Sequence, residues 1–169
     1  MRAQDLLSAQ YQQAHVIVEQ VIDDCDDDAF RKVVGGNIGS IAAIYAHVVF
    51  DEDGWTARTA GQPTVWETGG WAEKTGLETP SPRQTQDWAQ SVPEYDRAAF
   101  REYAHAVYAS TEIYFANASD EDLDTEIDAP GGRQPAGLSI GALGLWHVMS
   151  HQGEIAALKG VQGLKGLPF

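Results

Sequence analysis

The chain has 169 residues, enough for one domain with a substantial hydrophobic core, and 43% of them are hydrophobic, as in ordinary globular proteins. It carries 25 acidic against 11 basic residues, a formal net charge of −14, which argues against a nucleic-acid partner and against docking on anionic membranes. The single cysteine, Cys25, excludes an internal disulfide framework, and we expect one domain over residues 1–169 in the reducing cytoplasm.

The first half of the chain predicts two helices separated by a glycine break. Apolar residues at three- and four-residue steps predict an amphipathic helix over residues 3 to about 24. Gly35 and Gly36 interrupt the pattern, and Asn37 is then predicted as the N-cap of a second helix over residues 38 to about 58.

A long loop is predicted to follow the second helix. Residues 59–82 lose helical periodicity and are rich in glycine and proline, yet they contain Trp66 and Trp71. Long loops with aromatic anchors are often functional, so both tryptophans are candidates for a lid that contacts a bound cofactor. The alternative is that they only anchor the loop to the core.

The second half predicts two more helices. The third begins near Thr85 or, after Pro93, near Glu94, and ends near residue 117. Residues 118–138 form a polar connection with a short extended piece around 123–127, and Ser139 is the predicted cap of a fourth helix that ends near residue 161. Four amphipathic helices predict an all-α, up-and-down four-helix bundle.

Two histidines lie on the inner face of the fourth predicted helix. The stretch LWHVMSHQGEIAALKG places His147 and His151 four residues apart, with Glu154 in the next turn and in register with the apolar seam. Residues four apart share one helix face, so both imidazoles can reach one metal ion. The spacing alone leaves a second interpretation open, in which both are structural histidines bonded to neighbours.

A metal site needs a third ligand, and three histidines remain. His15 lies beside the apolar stripe of the first helix and could be a core or rim residue, whereas His105 lies off the stripe of the third helix and is predicted to be exposed. His47 is in the middle of the second helix, with Asp51 one turn later. We favour His47, with Asp51 or Glu154 as an orienting partner or an extra ligand.

The stretches NIGSIAAIYAHVVFDEDGW and SIGALGLWHVMSHQGEIAALKGVQG resemble helices of the DinB-like superfamily, also called the DinB/YfiT-like metalloenzymes, and the likeness covers nearly the whole chain. WETGGWAEKTGL is similar to the corresponding loop of actinobacterial-type members. The resemblance implies a four-helix bundle with one divalent metal on His47, His147 and His151. Zinc or nickel is favoured by the three imidazoles, and iron remains an option.

The resemblance also implies a chemistry, because family members include transferases and isomerases that use mycothiol or bacillithiol. It suggests a thiol-dependent transferase that acts on an electrophilic small molecule, with Asp51 or Glu154 orienting a ligand or moving a proton. Arg133 in the segment PGGRQP is a candidate contact for an acidic cofactor, and a solvated loop residue is the alternative. A metal-dependent hydrolase and a non-catalytic metal-binding stress protein stay open as functions. A homodimer is also open, with Trp146 as an oligomer contact or a packing residue.

Overall fold

A computed structural model describes residues 1–77, 93–129 and 131–169. The elements in chain order are α1 (Ala3–Asp23), α2 (Asp27–Arg31), α3 (Ile41–Ala60), α4 (Val65–Gly69), α5 (Trp71–Thr75), α6 (Arg97–Asn117), α7 (Asp120–Asp124), β1 (Glu126–Ala129), β2 (Gly132–Pro135), α8 (Ala136–Leu138), a π-helical segment (Ser139–Gly144) and α9 (Leu145–Val161). The long helices α1 and α3 each pack against both α6 and α9. The predicted all-α four-helix bundle is confirmed.

The first half of helix α3 lies in the interior of the bundle. All residues from 41 to 50 are buried, whereas α1 and α6 bury only one face each. A helix that is buried on every side has no single apolar stripe, because each of its faces meets a neighbour. His47, in the middle of the predicted second helix, is one of these buried residues.

The start of α3 differs from the prediction. The helix begins at Ile41, not at residue 38, and its N-cap is Ser40, whose hydroxyl accepts a hydrogen bond from the Ala43 amide at 3.1 Å. Asn37 lies in the turn that precedes it. Asparagine and serine are comparable N-caps, so the choice depended on burial of the segment, which local sequence does not reveal.

The predicted loop after the second helix contains two short helices, α4 and α5. Helix α4 begins with a reciprocal capping pair, since the Thr64 hydroxyl accepts from the Glu67 amide and the Glu67 carboxylate accepts from the Thr64 amide. The prediction of an irregular loop was therefore wrong for residues 65–75. Residues 78–82 of that loop lie outside the described residues.

Helix α6 begins at Arg97, three residues after the predicted start near Glu94. The Asp96 carboxylate caps it by accepting from the Ala99 amide at 2.9 Å. The alternative start at Thr85 falls outside the described part of the chain.

The connection before the last helix also differs from the prediction. A short helix, α7, and the antiparallel hairpin β1–β2 replace the single extended piece around 123–127. Ser139 is not an N-cap, because helical structure already begins at Ala136 and Ser139 itself has helical backbone angles, φ −61° and ψ −53°.

None of the helices in the described ranges has both the length and the hydropathy that a membrane-spanning helix requires.

The π-helical segment before α9 is held by a tyrosine from α1. The carbonyl of Ile140 accepts the Leu145 amide, a bond one residue longer than in an α-helix, and also accepts the Tyr11 hydroxyl at 2.7 Å. A Cβ atom on Gly144 would collide with the Tyr11 hydroxyl and touch the Trp55 ring. Glycine at 144 thus allows Tyr11 to reach the backbone just before the helix that carries His147.

We expect Gly144→Ala to lower the free energy of unfolding by about 1–3 kcal/mol, the usual cost of overpacking. Urea unfolding of metal-free protein measures it. Tyr11→Phe removes the colliding oxygen, so the double variant should lose less than the two single losses combined. Gly153→Ala is the matched control on α9: its Cβ would meet open space, and we expect it to be neutral or stabilising. Wild-type stability in Gly144→Ala would contradict the role of this contact.

Candidate metal centre

Three histidines from two helices form a compact cluster. His47 lies on α3, and His147 and His151 lie one turn apart on α9. The Nε2 atoms of His47 and His147 are 2.8 Å apart, and each of the three rings offers a nitrogen within 4.8 Å of the others. The structure brings together the three residues that the sequence predicted as metal ligands.

Burial makes the cluster suitable for binding a cation. Desolvation, with a smaller contribution from the neighbouring His151, lowers the pKa of His47 to about 4. Desolvation and the two other imidazoles lower the pKa of His147 to about 3. Both rings are therefore neutral at pH 7, and a neutral imidazole has the lone pair that a metal requires.

Glu154 orients one ring of the cluster. Its carboxylate accepts a hydrogen bond from Nδ1 of His151 at 2.6 Å, which leaves the Nε2 lone pair of that ring for the centre. Nδ1 of His147, by contrast, is buried and makes no hydrogen bond to any described residue. Glu154 was a candidate catalytic residue, and the structure makes it the partner of a candidate ligand.

Asp51 approaches the cluster from one turn along α3. Its Oδ2 atom lies 3.6 Å from Nε2 of His47 and 3.4 Å from Nε2 of His147. Both distances join the carboxylate to ring atoms that face the centre of the cluster. The carboxylate therefore adds negative charge beside the position that a cation would occupy.

The geometry of the cluster fits a divalent metal. A tetrahedral zinc ion with bonds of about 2.0–2.1 Å keeps its ligand atoms about 3.3 Å apart. The His47 and His147 nitrogens would have to separate by about 0.5 Å from their distance of 2.8 Å, a small rotation of either ring. A set of imidazoles with a neighbouring carboxylate suits zinc, nickel or iron.

Asp51 is the first of three consecutive acids on α3, and each contacts a different part of the bundle. The Glu52 carboxylate accepts hydrogen bonds from Nε2 of His15 at 2.9 Å and from the Thr111 hydroxyl at 2.7 Å. The Asp53 carboxylate accepts from the Tyr103 hydroxyl at 2.7 Å and from the first amides of α4. No role was predicted for Glu52 or Asp53 from the sequence, although buried acids require such partners.

The two loop tryptophans pack on the bundle. Trp66 makes edge contacts with Phe50 and Tyr103, at 4.9 and 5.1 Å between ring centroids, and Trp71 lies 5.6 Å from Tyr103. These contacts agree with the alternative that both residues anchor the loop. Contact between them and a cofactor stays a prediction.

The remaining sequence candidates lie on the surface. Arg133, on β2, has its Nε atom 3.8 Å from Glu126 and 4.0 Å from Asp128 within the hairpin, and its proposed contact with a cofactor stays a prediction. Trp146 is exposed although it precedes His147. His105 is also largely exposed, as the stripe of the third helix predicted, with Nε2 3.3 Å from Glu19.

The fold and the cluster define a four-helix bundle with a histidine site between two of its helices. The family model of the DinB superfamily matches residues 10–155, a range that contains all three histidines, and the chain belongs to this superfamily. No curated protein sequence matches the chain.

Solved structures share the fold at low sequence identity. A conserved protein from Enterococcus faecalis matches with a TM-score of 0.82 and 19% identity, over 96% of this chain and 99% of that one. Mycothiol-dependent maleylpyruvate isomerase matches with a TM-score of 0.62 and 14% identity, over 89% of this chain but 59% of the isomerase chain. A histidine-to-alanine variant of that isomerase matches with a TM-score of 0.61 and 15% identity, over the same shares of the two chains.

Proposed function

We propose that the chain is a metal-dependent enzyme that transfers a low-molecular-weight thiol, of the mycothiol or bacillithiol type, to an electrophilic small molecule. The observation that carries the proposal is the cluster of His47, His147 and His151, in which burial keeps two rings neutral. The fold shared with mycothiol-dependent maleylpyruvate isomerase supports the choice of thiol. The single cysteine of the chain fits the cytoplasm, to which we assign the protein.

Each residue of the cluster has a separate task in this proposal. The three histidines would hold a divalent metal, zinc or nickel first and iron as a further option, and a bound metal of this kind supplies the positive charge that keeps a thiol ionised near neutral pH. Glu154 binds Nδ1 of His151, so the Nε2 atom of that ring would be the one that binds the metal. His147 and His151 are only partly buried, so a small ligand can approach from their side.

The protein's own thiol is poorly suited to be the nucleophile. Cys25 is buried, and burial raises its pKa more than Arg97 and Lys159 lower it. A buried thiol with a raised pKa is mostly protonated at pH 7, and only the thiolate attacks electrophiles. An external thiol that reaches the metal centre removes this difficulty.

A metal-dependent hydrolase is the second candidate. Two carboxylates, Asp51 and Glu154, lie beside the cluster, and a carboxylate near a metal can accept a proton from water during hydrolysis. A non-catalytic metal-binding protein is the third.

The test uses protein purified without a histidine tag and loaded with zinc or nickel. It is incubated with chlorodinitrobenzene and with mycothiol, bacillithiol or glutathione in turn. Attack by sulfur on the ring forms a C–S bond and releases chloride. We expect conjugation with one of these thiols at least ~10-fold faster than with metal-free protein, and an unchanged rate in Cys25→Ser.

Two results would contradict the thiol transferase. Metal-dependent hydrolysis of a nitrophenyl ester without any thiol-dependent rate would favour the hydrolase. Stoichiometric metal binding with neither activity would favour the non-catalytic protein.

A further inference from the structure

We propose that Asp51 is a fourth protein ligand of the metal centre, and that it leaves this position when an exogenous thiolate binds. The inference rests on the metal site of the proposed function and adds a mode of ligand exchange to it. The carboxylate of Asp51, and not an open position, would then complete the resting site.

The distances around Asp51 match those between the ligands of one metal ion. Its Oδ2 atom and the Nε2 atoms of His47 and His147 form a triangle with sides of 2.8, 3.4 and 3.6 Å. Three ligands on one face of a tetrahedral zinc site are about 3.3 Å apart. The two sides that involve the carboxylate match this spacing to about 0.3 Å without any change of its conformation.

The ring atoms that Asp51 approaches distinguish a metal ligand from a carboxylate that only orients a histidine. A carboxylate that only orients a ligating histidine binds the ring nitrogen that points away from the metal, as Glu154 does at Nδ1 of His151. Asp51 instead approaches Nε2 of His47 and Nε2 of His147, the atoms turned toward each other. Both distances exceed those of ordinary hydrogen bonds and are close to the spacing of two ligand atoms on one metal ion.

The position of Asp51 is fixed by its helix. It follows His47 by four residues on α3, so both side chains project from the same face. Its neighbours Glu52 and Asp53 are held by other helices on other faces. The backbone of α3 therefore holds Asp51 toward the cluster.

Exposure explains why Asp51 is the ligand that can leave. Its side chain is 35% exposed, against 8% for His47, 14% for His147 and 18% for His151. A carboxylate bound through one oxygen is a harder ligand than a thiolate, and zinc and nickel accept sulfur readily. The incoming thiol would lose its proton to solvent and take the place of Asp51, while the three imidazoles stay bound.

Cobalt(II) is the probe, because its visible absorption spectrum reports the number and kind of its ligands. Tag-free wild type, Asp51→Asn and Asp51→Ser are loaded with cobalt, and Asp128→Asn in the exposed hairpin is the charge-matched control. We expect both Asp51 variants to bind cobalt about 10–100-fold more weakly and to show altered visible bands, with the control unchanged. Circular dichroism confirms that each variant is folded.

The second measurement adds 2-mercaptoethanol to the cobalt proteins. If the thiolate replaces Asp51, wild type and Asp51→Asn reach the same spectrum, with a new sulfur-to-cobalt band, and the variant needs less thiol to reach it. Unchanged visible bands before thiol addition, whether or not the affinity falls, would show that Asp51 is not a ligand. Different spectra at saturating thiol would show that it stays bound, and either result overturns the proposal.

The outcomes separate this inference from the proposed function. Failure of wild type to bind cobalt more tightly than His147→Ala would overturn the metal site itself, and with it both proposals. Displacement of Asp51 by thiol, without any conjugation of an electrophile, would leave this inference standing and overturn the transferase.

Discussion

The double substitution of His147 and His151 by alanine is expected to abolish metal binding while leaving the bundle folded. Two of the three imidazoles are lost, and we expect the affinity for zinc or nickel to fall by at least about 1,000-fold, or about 4 kcal/mol. The apolar core on α9 remains, since Val148, Ile155 and Leu158 are buried independently of the histidines. Elemental analysis of tag-free protein gives metal per chain, and circular dichroism gives helix content.

The matched control for that experiment is His105→Ala. His105 is exposed on α6, where its Nε2 atom lies 3.3 Å from the Glu19 carboxylate, so its loss should leave the metal content unchanged. Full metal occupancy in the double alanine variant would refute the assignment of the site. Loss of metal in the His105 variant as well would point to a global effect of histidine removal.

The spacing of His147 and His151 could be read from the sequence because it is a property of a single helix. Two residues four apart share a face in any α-helix, whatever it packs against. The third histidine was harder, because α3 is buried on all sides over residues 41–50 and shows no single inward stripe. His47 was selected from its position in the helix and from the resemblance to a family, and the structure places it within hydrogen-bonding distance of His147.

Features that depend on contacts between distant segments could not be predicted in this way. The π-helical segment forms where Tyr11, from the first helix, binds the Ile140 carbonyl, and the sequence around residue 140 contains no sign of that partner. The prediction of Ser139 as an N-cap was wrong for the same reason, because Ser139 belongs to this π-helical segment. Likewise, the sequence predicts His15 only as a core or rim residue, because its partner Glu52 lies 37 residues away along the chain.

Replacing Glu52 with alanine is expected to lower the free energy of unfolding by about 3–5 kcal/mol, because two buried donors lose their acceptor at about 1–3 kcal/mol each and the smaller side chain leaves a cavity. Glu52 is 1% exposed and His15 is 5% exposed. Without the carboxylate, Nε2 of His15 and the Thr111 hydroxyl lose an acceptor, and water cannot easily replace it. Urea unfolding in the presence of a chelator measures the loss without any contribution from bound metal.

Two variants bracket that result. Glu52→Gln keeps the volume and a carbonyl oxygen for Thr111, so we expect it to lose only about 1–2 kcal/mol. Glu112→Ala, on the exposed face of α6, should change the stability by less than about 0.5 kcal/mol. Equal losses in the alanine and glutamine variants would mean that the charge on Glu52, and not its hydrogen bonds, determines the effect.

A double-mutant cycle then isolates the contact between His15 and Glu52. Glu52→Met should be destabilising because it leaves the imidazole buried beside an apolar group, whereas His15→Phe with Glu52→Met replaces both partners and should recover about 2 kcal/mol or more. Additive losses of stability would mean that Glu52 stabilises the fold through its hydrogen bond with Thr111, and not through His15.

The metal affinity of folded Glu52→Gln should stay within about 3-fold of wild type, because Asp51, and not Glu52, approaches the histidine cluster. Adjacent acids on α3 would then affect stability and metal binding separately.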